Sequence, residues 1–227
     1  MAQQLSFDLS VRPALGREDF FVSEANAVAV AMLDDWARWP NGKLLLLGAA
    51  GAGKTHLAHV WSAETGAPLV AAAELVAQDI EALASGPVCV EDVETLAGDL
   101  ALETQLFHLH NLALAQGHVL LMTAQSAPKT WTLALPDLAS RLQGTAAVTI
   151  DAPDDALLGA LFMKLFEDRQ LSPQPDVLPY LARHAPRRFD VAREIVETID
   201  RLALQTGRRL TRDLARSVIQ QLTQEAP

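Results

Sequence analysis

The sequence predicts an α/β protein in which a parallel sheet is flanked by helices and followed by a small C-terminal helical unit. Three observations predict it. Five apolar runs of strand length recur, at 43–47, 68–72, 87–90, 118–123 and 146–150, with helix-like stretches such as 54–64 and 103–116 between them. Runs that are apolar throughout, rather than alternating, mark strands buried on both faces, as in a parallel sheet whose crossovers are helices. A glycine-rich loop joins the first run to the next helical stretch, and after Asp151 the strand-like runs give way to helical ones.

Taken in order, the chain opens with "AQQLSFDLSV", which is too short for a core helix and too polar for a signal peptide. It spaces Leu5, Phe7 and Leu9 behind Gln4, and residues 1–13 are set apart as an N-terminal peptide. Residues 14–151 form the α/β unit. There, "LLLLGAAGAGKTH" supplies the first strand, a turn and the start of a helix, and "PVCVEDVETL" is a strand that ends in carboxylates. Residues 152–227 form the helical unit. "DAPDDALLGALFMKLFEDRQ" begins with carboxylates and a proline, which suit a helix N-terminus. Three more helices follow in "QPDVLPYLARHA", "RRFDVAREIVETIDRLALQTG" and "TRDLARSVIQQLTQ", with Gly207 placed to end the third and Thr211 to cap the fourth.

Composition narrows the class. The chain has 227 residues, half of them hydrophobic, enough for one domain with an appendage. No apolar run is long enough to cross a bilayer, so no membrane association is expected. The single cysteine, Cys89, cannot form an internal disulfide, which fits a reducing cytoplasm. With 18 Lys and Arg against 28 Asp and Glu, the net charge is −10, and the chain should not bind nucleic acid through charge alone.

The chemistry concentrates at the loop. Gly48, Gly53, Lys54 and Thr55 match G-x-x-x-x-G-K-[ST]. Glycines let backbone N–H groups face phosphate oxygens without a Cβ in the way. Lys54 offers a charge to the β- and γ-phosphates, Thr55 a hydroxyl to magnesium, and the following helix its positive end. The loop alone does not choose a reaction, since small-molecule kinases, motor-like ATPases and switch proteins all use it. Glu91 and Asp92 close an apolar strand on the side where ligands bind in such sheets. One carboxylate can hold magnesium, and the other can orient an attacking water. His56, His59, His108 and His110 make no zinc pattern. Trp36, Trp39 and Trp61 read as core or rim aromatics.

On these residues the chain resembles the AAA+ ATPases, and among them the DnaA-related family. "GAAGAGKTHLAH" resembles that family's phosphate loop, "ETQLFHLHNLALAQGHVLLMTAQSAPKTW" its helix, fourth strand and sensor 1 loop, and "LALPDLASRL" its arginine-finger segment. The likeness runs from about residue 20 to 225 and implies an AAA+ fold, a sheet with a helical lid, that binds ADP or ATP with Mg. It places Gly48, Gly51, Gly53, Lys54 and Thr55 in the phosphate loop, Glu91 at the magnesium-associated position and Asp92 at the second acidic one. Arg141 falls on the arginine finger, whose guanidinium acts in a neighbouring subunit's site, and Arg188 is the candidate for sensor 2, with Asp190 at the family's own position for it. Two departures stand out: Glu91 where the family has an aspartate, and Gln125 where initiators carry an acidic sensor 1 residue. Both predict slow hydrolysis by the chain alone. Asn26 lies in the adenine-side segment, where helix capping is an equal expectation.

The likeness also interprets the opening. "QLSFDL" is similar to the short peptides that clamp partners insert into the DNA polymerase sliding clamp, with Gln4 at the pocket edge and Leu5, Phe7 and Leu9 as apolar anchors. Nothing in the chain matches an initiator's helix-turn-helix domain, so no direct sequence-specific DNA binding is expected. The implied partners are the clamp and DnaA, with room for a homo-oligomer, and the implied activity is to promote hydrolysis of ATP bound to DnaA.

Overall fold

The computed structural model describes residues 20–206 and 209–225. The proposed clamp-binding residues Gln4, Leu5, Phe7 and Leu9, and the helix-ending Gly207, lie outside them.

Five strands form one parallel sheet: β1 (Lys43–Gly48), β2 (Leu69–Ala71), β3 (Val88–Glu91), β4 (Leu120–Ala124) and β5 (Ala146–Ile150). Their order is β2-β3-β4-β1-β5. β1 is therefore bonded on both sides, with Leu46 level with Thr123 of β4 and Val148 of β5. Helices α1 (Ala27–Asp34), α2 (Lys54–Thr65), α3 (Ile80–Leu83), α4 (Leu100–Ala115) and α5 (Pro136–Gln143) surround the sheet.

The strand period of two divides the core. Leu44 and Leu46 face a cluster containing Val30, Leu57, Trp39 and Trp61, while Leu45 faces one containing Leu106, Leu109, Leu120 and Leu138. Trp39 and Trp61 stack at 5.5 Å, and both are buried. So the leucine run is a strand covered on both faces, as its lack of alternation predicts.

Capping refines the expected bounds. α4 starts at Leu100, three residues before the sequence suggests, because the Asp99 carboxylate accepts hydrogen bonds from the N–H groups of Ala101 and Leu102. β4 starts at Leu120 rather than His118, since His118 N–H is still bonded back to Ala113 O as the chain leaves α4. Of the short helices, α1 is apolar nearly all round and α3 has only four residues, so neither shows a helical period.

The helical unit comprises α6 (Asp155–Asp168), α7 (Val177–His184), α8 (Phe189–Thr206) and α9 (Arg212–Glu225). Asp154 caps α6 at 2.7 Å through Leu157 N–H, and Thr211 caps α9 through Leu214 N–H at 3.4 Å. Phe162, Phe166, Leu181, Ile195 and Val196 form its own core. Leu157 and Phe189 pack instead into the core of the sheet, so the first turns of α6 and α8 hold the two units together. No helix among the described residues is long and apolar enough to cross a membrane.

Trp61 gives a test of this packing, because its Nε1–H is buried without a hydrogen-bond partner. An unpaired buried donor costs about 1–3 kcal/mol. Trp61→Phe removes that donor along with some volume and is expected to change unfolding stability by only about 1 kcal/mol. Trp61→Ala should cost about 3–5 kcal/mol. Urea denaturation of the two variants measures both.

Candidate functional site

The site is built at the carboxyl end of the sheet. β1 ends at Gly48, and six residues later α2 begins at Lys54. The connecting turn needs left-handed backbone: Gly51 has φ 74° and Gly53 has φ 100°. A Cβ on Gly51 would lie 3.3 Å from Phe189 Cβ and 3.4 Å from the Asp190 backbone nitrogen, at the start of α8. The loop is thus pressed between the sheet and the helical unit, where only a glycine fits. Gly53, the N-cap of α2, has no side chain to accept from the N–H groups of the first helical turn. An uncapped, positively polarised helix start fits an anionic ligand such as a phosphate.

Lys54 is buried, with Nζ donating to Gly48 O at 2.7 Å and to Ala49 O at 3.2 Å. Burial pulls its pKa below the ordinary value, while Asp92, Glu94 and Glu91 oppose that shift in decreasing order. Three carboxylates therefore share the field of one ammonium across about 10 Å of sheet, since β4 alone separates β3 from β1. Thr55 is exposed in the first turn of α2.

The carboxylates are held unequally. Glu91 ends β3, and its Oε1 is buried without a partner. Asp92 follows in left-handed backbone, φ 53°, with its N–H bonded to Thr123 Oγ1 at 3.0 Å and its carbonyl accepting from Thr95 Oγ1 at 2.7 Å. That strained turn leaves the Asp92 side chain exposed. Glu94, which the motif does not single out, accepts from Gln125 N–H at 2.9 Å through Oε1 and leaves Oε2 buried and unpaired. Its signal in the sequence is the third acid of "EDVE". Two unpaired buried carboxylate oxygens on glutamates that act on the Lys54 ammonium fit a nucleotide-associated Mg, which needs few protein ligands and keeps several waters. No group of three or more His, Cys, Asp or Glu arranged to hold a metal by themselves occurs among the described residues. Gln125 is joined to the cluster through its backbone.

The other expected residues separate into three groups. Arg188 stands just before α8, beside the loop, with its guanidinium paired to Asp190 through Nε at 3.1 Å and Nη2 at 2.5 Å. That pair raises the Arg188 pKa and lowers that of Asp190. Asn26 is buried and shapes the turn before α1: its amide donates to Phe21 O and its carbonyl accepts from Ser23 N–H, both at 2.9 Å. Phe20, another residue the motif does not flag, places its ring edge on His56 at 5.1 Å and would meet a Cβ on Gly53 at 3.2 Å.

Arg141 lies elsewhere. It is in the last turn of α5, exposed, and its carbonyl accepts from Lys43 Nζ at 2.9 Å. Lys43 begins β1 and Gly48 ends it, five residues or about 16 Å away. The expected finger and the phosphate loop thus occupy opposite ends of one strand. A cleft of about 470 Å³ opens beside Arg141, lined by Lys43, Phe107, Asp137 and Ser140.

No family model matches the chain. Solved structures do resemble it. Domain III of the Thermotoga maritima replication initiation protein DnaA superposes with a TM-score of 0.77 over 92% of this chain and 97% of that one, at 17% identity. AMPPCP-bound DnaA from Aquifex aeolicus matches with 0.68 over 84% of this chain and 66% of that one, also at 17% identity. A point variant of Thermotoga maritima RuvB matches with 0.68 over 93% of this chain and 73% of that one, at 17% identity. The chain has the α/β AAA+ fold seen in DnaA and RuvB.

The loop geometry yields a direct test. Lys54→Ala removes the cation enclosed by the turn and the three carboxylates. A charge-assisted hydrogen bond is worth about 1.5–3 kcal/mol, so affinity for Mg–ADP and Mg–ATP should fall about 10- to 100-fold in titration calorimetry. Unchanged affinity would remove this loop from the site.

Proposed function

We propose that the chain is a DnaA-related regulator of replication initiation of the Hda type. On this reading it binds ADP or ATP with Mg at Gly48–Thr55, docks on the sliding clamp through Gln4–Leu9, and presents Arg141 to ATP held by DnaA. It works in the cytoplasm. The observation that carries the proposal is the separation of Arg141 from the chain's own loop by the length of β1. A guanidinium placed there serves a nucleotide on a neighbouring molecule rather than its own. The likeness to DnaA, including a form carrying AMPPCP, supports adenine nucleotide as the ligand.

Each residue then has a task. The uncapped start of α2 and Lys54 bind phosphate oxygens. Thr55 and Glu91 would hold magnesium, which when bound neutralises charge on the phosphates. Asp92, on its exposed turn, is placed to orient water, and Arg188 can swing from Asp190 toward the nucleotide. Glu91 and Gln125 make the cis site a poor hydrolase, so nucleotide here acts chiefly to set the shape of the chain. In trans, Arg141 stabilises charge that develops on the transferred phosphoryl group, and its planar fork suits that task better than an ammonium.

A second reading, an initiator-like or helicase-loading ATPase acting directly on DNA, draws on one feature. On the helical unit, Tyr180 stacks on His184 at 4.3 Å, and the guanidiniums of Arg212 and Arg216 lie 4.8 and 5.9 Å from its ring. One of the similar DnaA structures also carries single-stranded DNA. The net charge of −10 opposes this reading. A salt-dependent DNA titration separates the two, since direct binding shows a steep loss of affinity with salt.

The deciding experiment is single-turnover hydrolysis of DnaA-bound ATP with the clamp loaded on DNA. Arg141→Ala should keep nucleotide and clamp binding yet lose the stimulation, about 10³–10⁵-fold by analogy with other trans-acting arginines. Arg141→Lys should rescue poorly. Stimulation by the alanine variant equal to wild type would sink the proposal.

Clamp docking has its own test. Alanine at Gln4, Leu5 and Phe7 together should abolish co-elution with the sliding clamp and leave the unfolding midpoint unchanged. Retained co-elution would return these residues to an ordinary N-terminus.

A further inference from the structure

We infer that Lys43 and Glu103 are positioning residues for Arg141, two buried side chains of opposite charge that clamp the two ends of α5. The inference rests on the trans role of Arg141 proposed above and concerns what holds that arginine in place.

α5 is eight residues long, too short to persist without outside support. It buries only Leu138 and Leu142. Its N-cap residue, Leu135, has no side chain that can accept a hydrogen bond. Glu103, from α4, instead holds the backbone that leads into the helix. Oε1 accepts from Ala134 N–H at 2.9 Å and Oε2 from Leu135 N–H at 2.7 Å. Oε1 also accepts from Gly98 N–H at 2.9 Å, in the loop that leaves the acidic turn. At the other end, Lys43 donates to Arg141 O at 2.9 Å, and Thr145 Oγ1–H donates to the same carbonyl at 2.9 Å.

The signs match the helix. A carboxylate stands at the positive N-terminal end and an ammonium at the negative C-terminal end. Both are buried, Glu103 fully and Lys43 to 6% exposure, and neither forms an ion pair among the described residues. Two lone charges of this kind are costly to bury unless their hydrogen bonds are satisfied, and here those bonds go chiefly to the ends of one short helix. His110 completes the C-terminal end. Its Nε2 lies 3.1 Å from Lys43 Nζ and its Nδ1 3.3 Å from Asn111 Oδ1. Burial first, then the Lys43 charge, pulls His110 down to about 4. The neutral ring therefore turns an acceptor to the ammonium and holds it under the last turn.

A clamp of this kind sets where the guanidinium points. A displacement of one ångström at a reacting group can cost about 100-fold in rate. Glu103 also ties the segment before α5 to Gly98, so the acidic turn and the arginine helix share one anchor.

The test is Lys43→Met, similar in length and without charge, in the single-turnover assay with DnaA-bound ATP and DNA-loaded clamp. The maximal rate should fall about 10- to 100-fold while the half-saturating concentration and the chain's own nucleotide affinity stay as in wild type. Lys43→Arg, which keeps a donor, should recover much of the rate. Adding Lys43→Met to Arg141→Ala should lower the rate no further. By NMR, His110 should titrate above about 4 in Lys43→Met, because its cationic neighbour is gone. If Lys43→Met stimulates like wild type while Arg141→Ala does not, the clamp is wrong and the trans role stands. If Arg141→Ala stimulates like wild type, the trans role fails and the positioning role with it. An unmoved His110 titration would also overturn the clamp. Should Lys43→Met not accumulate as folded protein, Glu103→Gln tests the other end. It is expected to lower the maximal rate with nucleotide affinity intact, and a full rate would overturn the inference.

Discussion

Everything in this structure hangs from β1, a strand bonded on both edges and buried on both faces. Its six residues cannot shift register without moving Leu44, Leu45 and Leu46 into the wrong cores and breaking the ladders to β4 and β5. Because the strand is fixed, so is what lies at each end. Gly48 starts the glycine-rich loop at one end, and Lys43 donates to the last turn of α5 at the other. The glycine-rich turn and the last turn of α5 are thereby held at a set separation by a strand paired on both edges.

The loop end shows how burial and charge are balanced. Removing Lys54 from water disfavours its charged form, and three carboxylates favour it. Its own donors are met by the carbonyls of Gly48 and Ala49. The carboxylates are less well served: Glu91 and Glu94 each keep a buried oxygen without a partner. Unpaired buried acceptors are uncommon in folded proteins, and they concentrate where function asks for them. Both glutamates act on the charge of Lys54 at the start of α2.

The helical unit takes part through contact rather than sequence motif. Phe189 reaches into the core of the sheet, and its neighbour Asp190 sits against Gly51. Any ligand that spreads the loop must therefore move the start of α8. The Arg188–Asp190 pair stands at that junction, exposed enough to exchange partners. Contact between the loop and the helical unit is then a matter of packing at a few atoms, with the glycine making the approach achievable.

What was legible in the sequence followed from local physics. Uninterrupted apolar runs declared the strands, carboxylates and a threonine declared helix starts at Asp154 and Thr211, and the glycine spacing declared the loop. Arg141 and Arg188 were legible only through resemblance, since a single exposed arginine carries no pattern of its own. Lys43 and Glu103 were illegible for a different reason. Each is one charged residue in an ordinary helical or strand context, and its partner at α5 lies 98 positions away for Lys43 and 32 for Glu103. By itself the sequence determined the sheet, the glycine turn after β1 and the helical unit, because those depend on neighbours within a few residues. Only the tertiary structure decided that Glu94 joins the acidic cluster, that Asp190 meets the loop, and that Arg141 stands at the far end of β1, because strand order and long-range packing bring those groups together.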